Sequence, residues 1–386
     1  MEDMSWGGIF VQIAIQFLPV WIALAVLFAG SIYTKQTTGL YGKLFDSPIG
    51  MIGFGLVAFW LFTAIFADFI ITHDPLAQVS GMKNKVPGTP VPEGTNGYSH
   101  YLLGGDNLAR DVFSRMVMGA RSVMQIAPAA TLFAFMVGIT LGLPAGYFGG
   151  KLDTGLSFIA NLVLAFPVIL LFYLLVTKEI VETGIPTALA AVLFLFPIAF
   201  LVVLFNSKYY TRPNVRNLAV GTTLVLGFWA YMGLAFNADP LGVFGMSPNL
   251  LNVFVSVVFV NSPTVFRIVR GLVLDIQTRD YVAAAQTRGE GPWYIMLWEI
   301  LPNARGPLIV DFCLRIGYTT ILLGTLGFFG LGVSPESPDW GSTINDGRKL
   351  LSAYPHPALP PAFALMSLVL GLNLLADGLR EQSLKD

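Results

Sequence analysis

The sequence predicts an all-α protein that crosses a membrane many times, and three observations carry the prediction. Only 12% of the 386 residues are charged, about half the roughly 25% of a soluble domain. The mean hydropathy is +0.69. Several uncharged runs reach about 20 residues, the length a helix needs to cross a hydrocarbon layer of about 30 Å. Runs this continuous argue against a β-barrel, whose strands alternate in polarity. The net charge of −1 gives no argument for nucleic acid, so the bilayer is the one partner that composition names. The single cysteine, Cys313, lies inside an apolar run and forms no disulfide within the chain.

Nine spans are expected, at about 9–33, 49–72, 122–147, 156–177, 185–206, 217–236, 250–274, 306–333 and 360–379. The first follows an acidic MEDMS start. A cleaved signal peptide would begin with positive charge and carry a shorter apolar core, so this run reads as a retained span. The eighth is Gly-rich at its end and is expected to break near Gly324–Gly332. Pro128, Pro144, Pro167, Pro197 and Pro263 fall within runs as kinks or breaks.

Basic residues in the short loops set the orientation. Segment 34–48 holds Lys35 and Lys43, 148–155 holds Lys151, and 207–216 holds Lys208, Arg212 and Arg216. Segment 275–305 holds Arg279, Arg288 and Arg305, and the tail holds Arg380 and Lys385. Alternation puts all of these on one side. The opposing short connections, 178–184 and 237–249, hold only Lys178. The basic side is therefore expected to be cytoplasmic, with the N-terminus outside and the C-terminus inside. The long outer loop 73–121 carries Lys83, Lys85, Arg110, Arg115 and Arg121, but long translocated loops follow the rule weakly. Within it, 83–97 is Pro- and Gly-rich and reads as irregular. Residues 106–121 read as an amphipathic helix with Asp106 as N-cap and Leu108, Val112, Arg115, Met116 and Gly119 on one face.

The polar island Asp280–Pro302 lies on the side expected to be cytoplasmic. It reads as two short helices separated by a turn. Tyr281, Ala284, Ala285 and Arg288 share helical spacing and form a face of mostly small residues. Gly289 suits the left-handed position that ends a helix, and Pro292 suits the first turn of the next. Trp293, Met296, Leu297 and Ile300 share a second face, and Pro302 is expected to stop that helix. A knob of this kind fits a groove of another protein. The pattern equally suits an interfacial loop resting Trp293 and Tyr294 at the headgroups.

Polar groups inside spans are expensive and mark function by default. Asp311 and Arg315 stand four residues apart in the favourable acid-first order, either along a solute path or as a neutralised local pair. Asn252, Ser256, Asn261 and Ser262 line a path or join helices as polar glue. His73, His100 and His356 lie in or beside loops without metal-ligand spacing, so neither a metal nor a catalytic site is expected. No GxxxxGK[ST] phosphate loop is present, so ATP is not bound by the usual means.

Several landmarks stand in an order that resembles a known family, the permease subunits of ABC importers of the dipeptide/oligopeptide/nickel class, specifically the C-type member of the pair. Ile71–Gln78 resembles the end of the family's first core span, and Leu102–Arg115 (LLGGDNLARDVFSR) its external signature, with Asp106, Arg110, Asp111 and Arg115. Gly142–Gly150 resembles the turn after the second core span, and Ala165-Phe166-Pro167 the third. Pro248–Asn252, Arg267–Gly271 and Asp280–Pro302 resemble the fourth span and the coupling loop that follows it. Phe328–Val333 with Trp340-Gly341 resembles an external re-entrant region, and Asn373–Arg380 the last helix.

The resemblance implies a six-helix type I permease core plus about three additional transmembrane helices. Residues 1–48 would be an extra N-terminal helix with its cytoplasmic linker, and 49–121 the first core span with its external loop. Core spans would follow over 122–177, an inserted hairpin over 178–246, and further core spans with the coupling loop over 247–386. The added helices read as lipid-facing padding or as surfaces packed on a partner. The resemblance further implies a homologous permease as partner, two ABC ATPase subunits (or a fused pair) that use the ATP, and an external solute-binding protein. The coupling-loop residues carried over are Asp280, Tyr281, Ala284, Ala285, Gly289 and Pro302. The location implied is the bacterial inner membrane, and the solutes implied are peptides or related compounds, nickel chelates among them. The chain departs from the family at Ala283, where Glu is usual, and at Gln286, where a basic residue is usual. At Ala109 the family has glycine, a change that the expected helix would welcome. An ion-coupled secondary transporter would instead show inverted repeats and mid-membrane charge relays, which are not seen. A membrane scaffold would leave the ordered landmarks unexplained.

Overall fold

The computed structural model describes residues 2–37, 39–331 and 337–383. Gly332, Val333 and Lys385 of the sequence reading lie outside the described residues. In chain order the helices are α1 (Trp6–Gln16), α2 (Leu18–Tyr33), α3 (Leu40–Leu44), α4 (Pro48–Ile65), α5 (Ala67–Ile70), α6 (Val112–Phe148) and α7 (Gly150–Leu164). Then come α8 (Val168–Val176), α9 (Lys178–Glu182), α10 (Ile185–Leu193), α11 (Leu195–Lys208), α12 (Pro213–Phe236) and α13 (Pro248–Ile276). After them follow α14 (Asp280–Thr287), α15 (Pro292–Tyr294), a π-helical turn (Ile295–Ile300), α16 (Leu301–Asn303), α17 (Arg305–Phe328), α18 (Trp340–Arg348) and α19 (Leu359–Ser383). The strands among the described residues are the short antiparallel pair β1 (Thr89–Pro90) and β2 (His100–Tyr101).

Seven of the described helices are long and apolar enough to cross a membrane, α10 and α11 counting as one. Two bent pairs, α1–α2 at 55° and α7–α8 at 82°, raise the number to nine if each is one span. The run 156–177 is thus not one straight helix. Pro167 is extended (φ −58°, ψ 119°), and proline forces the residue before it away from helical geometry. α17 runs unbroken through Gly324 and ends at Phe328, followed by a turn with left-handed Gly330 (φ 78°), within the stretch where a break is expected.

The chain divides into two compact units, one formed by the residues up to Pro128 with those from Cys313 onward, the other by Ala129–Phe312. The boundaries fall within α6 and α17. In the first unit α4 packs on α19 through glycines. A Cβ added at Gly53 would lie 2.3 Å from the Leu375 backbone nitrogen, and one at Gly378 would lie 2.4 Å from the Gly50 Cα. Small residues let the two backbones approach, which is how helices associate where burial of apolar surface gives no drive. Trp60 of α4 donates its indole N–H to Ser367 Oγ at 2.9 Å and meets Trp340 edge to face at 5.1 Å.

In the second unit the same device seats α13 on α6. Gly138, Gly142 and Gly146, at four-residue spacing, face Val265, Val269 and Val273, and a Cβ at any of them would come within 3 Å of the partner helix. α13 is the most enclosed of the span-length helices, and α12 the least.

The external loop differs from the expectation of a helix over 106–121. α6 starts at Val112 and continues as one helix to Phe148, so the amphipathic segment and the third span are a single element. Asp106 does not cap it. Asp111 does: its carboxylate accepts the Ser114 N–H at 3.2 Å, and its carbonyl accepts the Arg115 N–H at 3.1 Å. Asp106 instead closes a tight turn by accepting the N–H groups of Leu108 (2.8 Å) and Arg110 (2.9 Å). Ala109 takes a left-handed φ of 64° in that turn, a conformation that favours glycine. The family's glycine therefore has a conformational reason, and alanine is not welcome here as it would be in a helix.

Candidate functional site

The island after α13 is built with one apolar and one exposed side. Two aliphatic positions of α14, Val282 and Ala285, are fully buried. They join a cluster with Leu143 of α6, Val273 and Ile276 of α13, and Ile295, Met296, Leu297 and Ile300 of the π turn. Asp280, Tyr281, Ala283, Ala284, Thr287 and Arg288 are exposed. The expected face of Tyr281, Ala284, Ala285 and Arg288 is therefore split, because Ala285 pairs with Val282 to make the only stripe the helix can bury. Asp280 sits in the first turn, where its charge suits the positive helix end.

α14 ends in a Schellman motif. The Glu290 N–H bonds to the Ala285 carbonyl at 3.2 Å and the Gly289 N–H to the Gln286 carbonyl at 2.9 Å. Gly289 holds φ at 79° with open space where a Cβ would stand. This matches the sequence expectation for that glycine and leaves its backbone approachable. Gly291 and Pro292 then open the next element. Its continuation from Ile295 to Ile300 is π-helical, a geometry often found at functional positions and not foreseen from the sequence. Pro302 does not stop a long helix. It lies in the first turn of α16, exposed, and α17 begins at Arg305 after the buried Ala304.

Side-chain bonds tie the element together. Arg288 donates to Glu299 at 2.9 Å across the turn. Gln286 donates to the Tyr147 hydroxyl at 3.4 Å, and Trp298 donates its indole N–H to Ser207 Oγ of α11 at 3.2 Å. The Trp298 contact was not foreseen, since nothing local in sequence pairs residues 207 and 298.

The external signature forms a second, buried polar cluster. None of Asp106, Arg110, Asp111 and Arg115 is more than 3% exposed. Arg110 bridges Asp106 (2.7 Å) and Asp346 of α18 (2.8 Å). Arg115 donates to Thr343 at 3.3 Å and to the Ser337 carbonyl at 3.4 Å. Asp111 accepts the hydroxyls of Thr72 (2.7 Å) and Ser114 (2.6 Å), and His73 Nδ1 lies 3.5 Å from it. Tyr101 donates to the Ala109 carbonyl at 3.1 Å; burial, with the charges of Asp111 and Asp106, pushes its phenol upward. Trp340, almost fully buried, donates to the Met116 carbonyl at 2.8 Å against Gly119, where a Cβ would come 2.4 Å from the indole. Asp339 caps α18 through the Ser342 N–H at 2.8 Å, and burial pushes its carboxyl upward.

Asn252 and Asn261 are buried on α13, nine residues and roughly 13 Å of helical rise apart, so they form no single cluster. Asn261 donates to the Val257 carbonyl at 3.0 Å. Asp311, half-buried, and Arg315, buried, lie on α17.

Residues 138–383 match the family model described as binding-protein-dependent transport system inner membrane component. Among curated proteins, the dipeptide transport system permease protein DppC of Alkalihalophilus pseudofirmus is 28% identical over 341 residues, covering 88% of this chain and 87% of that one. DppC of Haemophilus influenzae is 27% identical over 353 residues, covering 90% and 91%. The glutathione transport system permease protein GsiD of Escherichia coli is 31% identical over 285 residues, covering 73% and 71%.

Proposed function

The chain belongs to the family of binding-protein-dependent transport system inner membrane components, and from that premise we propose how it works as a permease subunit. Its substrates are short peptides, the class named in the dipeptide and glutathione permeases it resembles. A second, homologous permease completes the pathway, an external solute-binding protein delivers the peptide, and two ATPase subunits, or a fused pair, hydrolyse the ATP. The chain itself carries out no catalysis. It spans the bacterial inner membrane with the N-terminus outside and the C-terminus in the cytoplasm, as its basic loops favour.

The observation that carries this reading is the one-sided build of Asp280–Pro302. Val282, Ala285 and the π turn hold it to the cluster shared with α6 and α13. Ala284 and Gly289, beside the exposed Tyr281, leave a small-residue surface on which an ATPase groove can close. α13 leads into this element and α17 leads out of it. A push on the exposed side is therefore passed to both helices, and rigid-body rotation of the spans alternates access. Asn252, Asn261, Asp311 and Arg315 are the polar groups that a solute path along α13 and α17 would meet. The buried cluster around Asp106 and Asp111 holds the outer loop in shape for delivery.

The test is co-purification of the ATPase subunits with this permease. Ala284→Arg adds bulk and charge at an exposed helical position that the fold tolerates, and Gly289→Asp blocks the close backbone approach. Both variants should lose most of the ATPase while still folding. An ATPase retained at native stoichiometry by both variants would sink the docking surface.

A further inference from the structure

The segment 178–246 holds α9–α12, and its second unit contacts reach the island itself. α10 lies against α13, and α11 against α15. Phe194, at the α10–α11 junction, is wedged edge to face between Phe133 of α6 (5.2 Å) and Phe254 of α13 (5.7 Å). Further along α11, Phe200, Val203 and Leu204 fall at i, i+3 and i+4 and pack on the cluster that seats the π turn. One turn later the buried Ser207 takes the Trp298 indole bond, and the Lys208 ammonium stands 5.8 Å from the Trp298 ring. Tyr209 offers the same ammonium a second ring at 5.5 Å. The contact is thus apolar over one turn and polar at its end, which fixes an angle as well as a distance. Padding that merely faced lipid would leave α11 no reason to place a hydroxyl under that indole.

We propose that Trp298 is a positioning residue that fastens the α10–α12 hairpin to the coupling element, so that hairpin and element move as one body when the ATPases close. The inference rests on the permease reading above and adds a third route for the push, beside α13 and α17. A single hydrogen bond contributes little by itself, so the fastening lies in the ring and its bond together, with the α11 apolar stripe behind them. The outer face of α12, where Val225 and Phe228 are exposed, is then carried along with each cycle.

The experiment uses the full complex, permease pair with ATPases, in lipid nanodiscs, with Cys313→Ala as background. Spin labels at Thr287→Cys on α14 and Val225→Cys on α12 report the hairpin. Labels at Thr287→Cys and Leu108→Cys report the alternation. On trapping with ATP and vanadate, the Thr287–Leu108 distance should shift, while Thr287–Val225 stays within the 1–2 Å typical of small helix adjustments. Trp298→Ala should make Thr287–Val225 shift or broaden on trapping; Ser207→Ala should do so more weakly, and Ser207→Thr, which keeps the hydroxyl, should behave as native. A Thr287–Val225 distance that changes as much as the control overturns the proposal, and so does a Trp298→Ala complex indistinguishable from native. An unlabelled complex that binds no ATPase, or a labelled complex that binds it but whose control distance never moves, removes the permease mechanism and this inference with it.

Discussion

The two polar regions of the protein treat charge in opposite ways. Around Thr72–Arg115 and Ser337–Asp346, acidic and basic side chains are enclosed and mostly answered: Asp111 by two hydroxyls and backbone N–H groups, Asp106 by Arg110 and two backbone N–H groups, while Arg115 Nε and Asp339 Oδ2 have no hydrogen-bond partner among the described residues. In Asp280–Pro302 the buried positions are aliphatic, and Asp280 and Arg288 stand in solvent. Buried charge tolerates one geometry, because any displacement strands a desolvated ion. A buried aliphatic stripe with an exposed small-residue side keeps its own seat and still admits a second protein. The first region is built to keep a shape, the second to be gripped.

Arg110→Ala tests the first half of that contrast and should have the largest effect. It removes the bridge between Asp106 and Asp346 and leaves the Asp106 carboxylate with Arg115 Nε at 3.7 Å as its nearest cation. Breaking a buried pair by removing one partner costs about 3–5 kcal/mol. The detergent-solubilised variant should unfold well below the native temperature, or accumulate poorly. An unchanged melting curve would mean that the cluster is wetter than its burial indicates.

Sequence reasoning reached the fold class because span length and missing charge are global signals, and it reached Gly289 because a left-handed helix end needs a particular residue. It did not reach the packing. Lipid-facing and protein-facing positions are both apolar, so periodicity could not tell that α11 turns Phe200, Val203 and Leu204 toward the island. Gly138, Gly142 and Gly146 carry a signal that the sequence reading did not use, since a four-residue glycine spacing marks a close helix contact. Ala285 was misplaced because spacing groups residues on a face without saying which face is buried. Asp106 and Asp111 both precede an apolar run as capping residues do. Only the geometry of Ala109 separates the turn that the first closes from the helix that the second starts.

Ala109→Gly follows from that geometry, and its effect is smaller and of opposite sign. A non-glycine residue in the left-handed region costs about 1–2 kcal/mol, while glycine loses roughly 0.4–1 kcal/mol more through the unfolded chain. The two bonds to the Ala109 carbonyl, from Tyr101 and from the Val79 N–H, use the backbone and survive. A net gain of about 0.5–1 kcal/mol should raise the melting temperature slightly. A fall would mean that the alanine methyl, nearly buried, contributes more by packing than its backbone loses by strain.

Arg288→Ala should have the smallest effect on stability and is the sharpest probe of the second half of the contrast. The Arg288–Glu299 pair looks structural, since it spans the turn between α14 and the π helix at 2.9 Å. Yet Arg288 is more than half exposed, and exposed pairs contribute about 0–1 kcal/mol and weaken further with salt. The turn has its own support: the two Schellman bonds and the left-handed Gly289 do not involve the arginine side chain. Thermal unfolding of the isolated permease should therefore shift by no more than about 0.5 kcal/mol at low salt and by less at high salt. Any larger change should appear only when the ATPase is present, as weaker co-purification. A loss of several kcal/mol in the isolated permease would show that this element, like the Asp106 cluster, depends on an ion pair for its shape, and the distinction between a region that keeps its form and one that is gripped would fail.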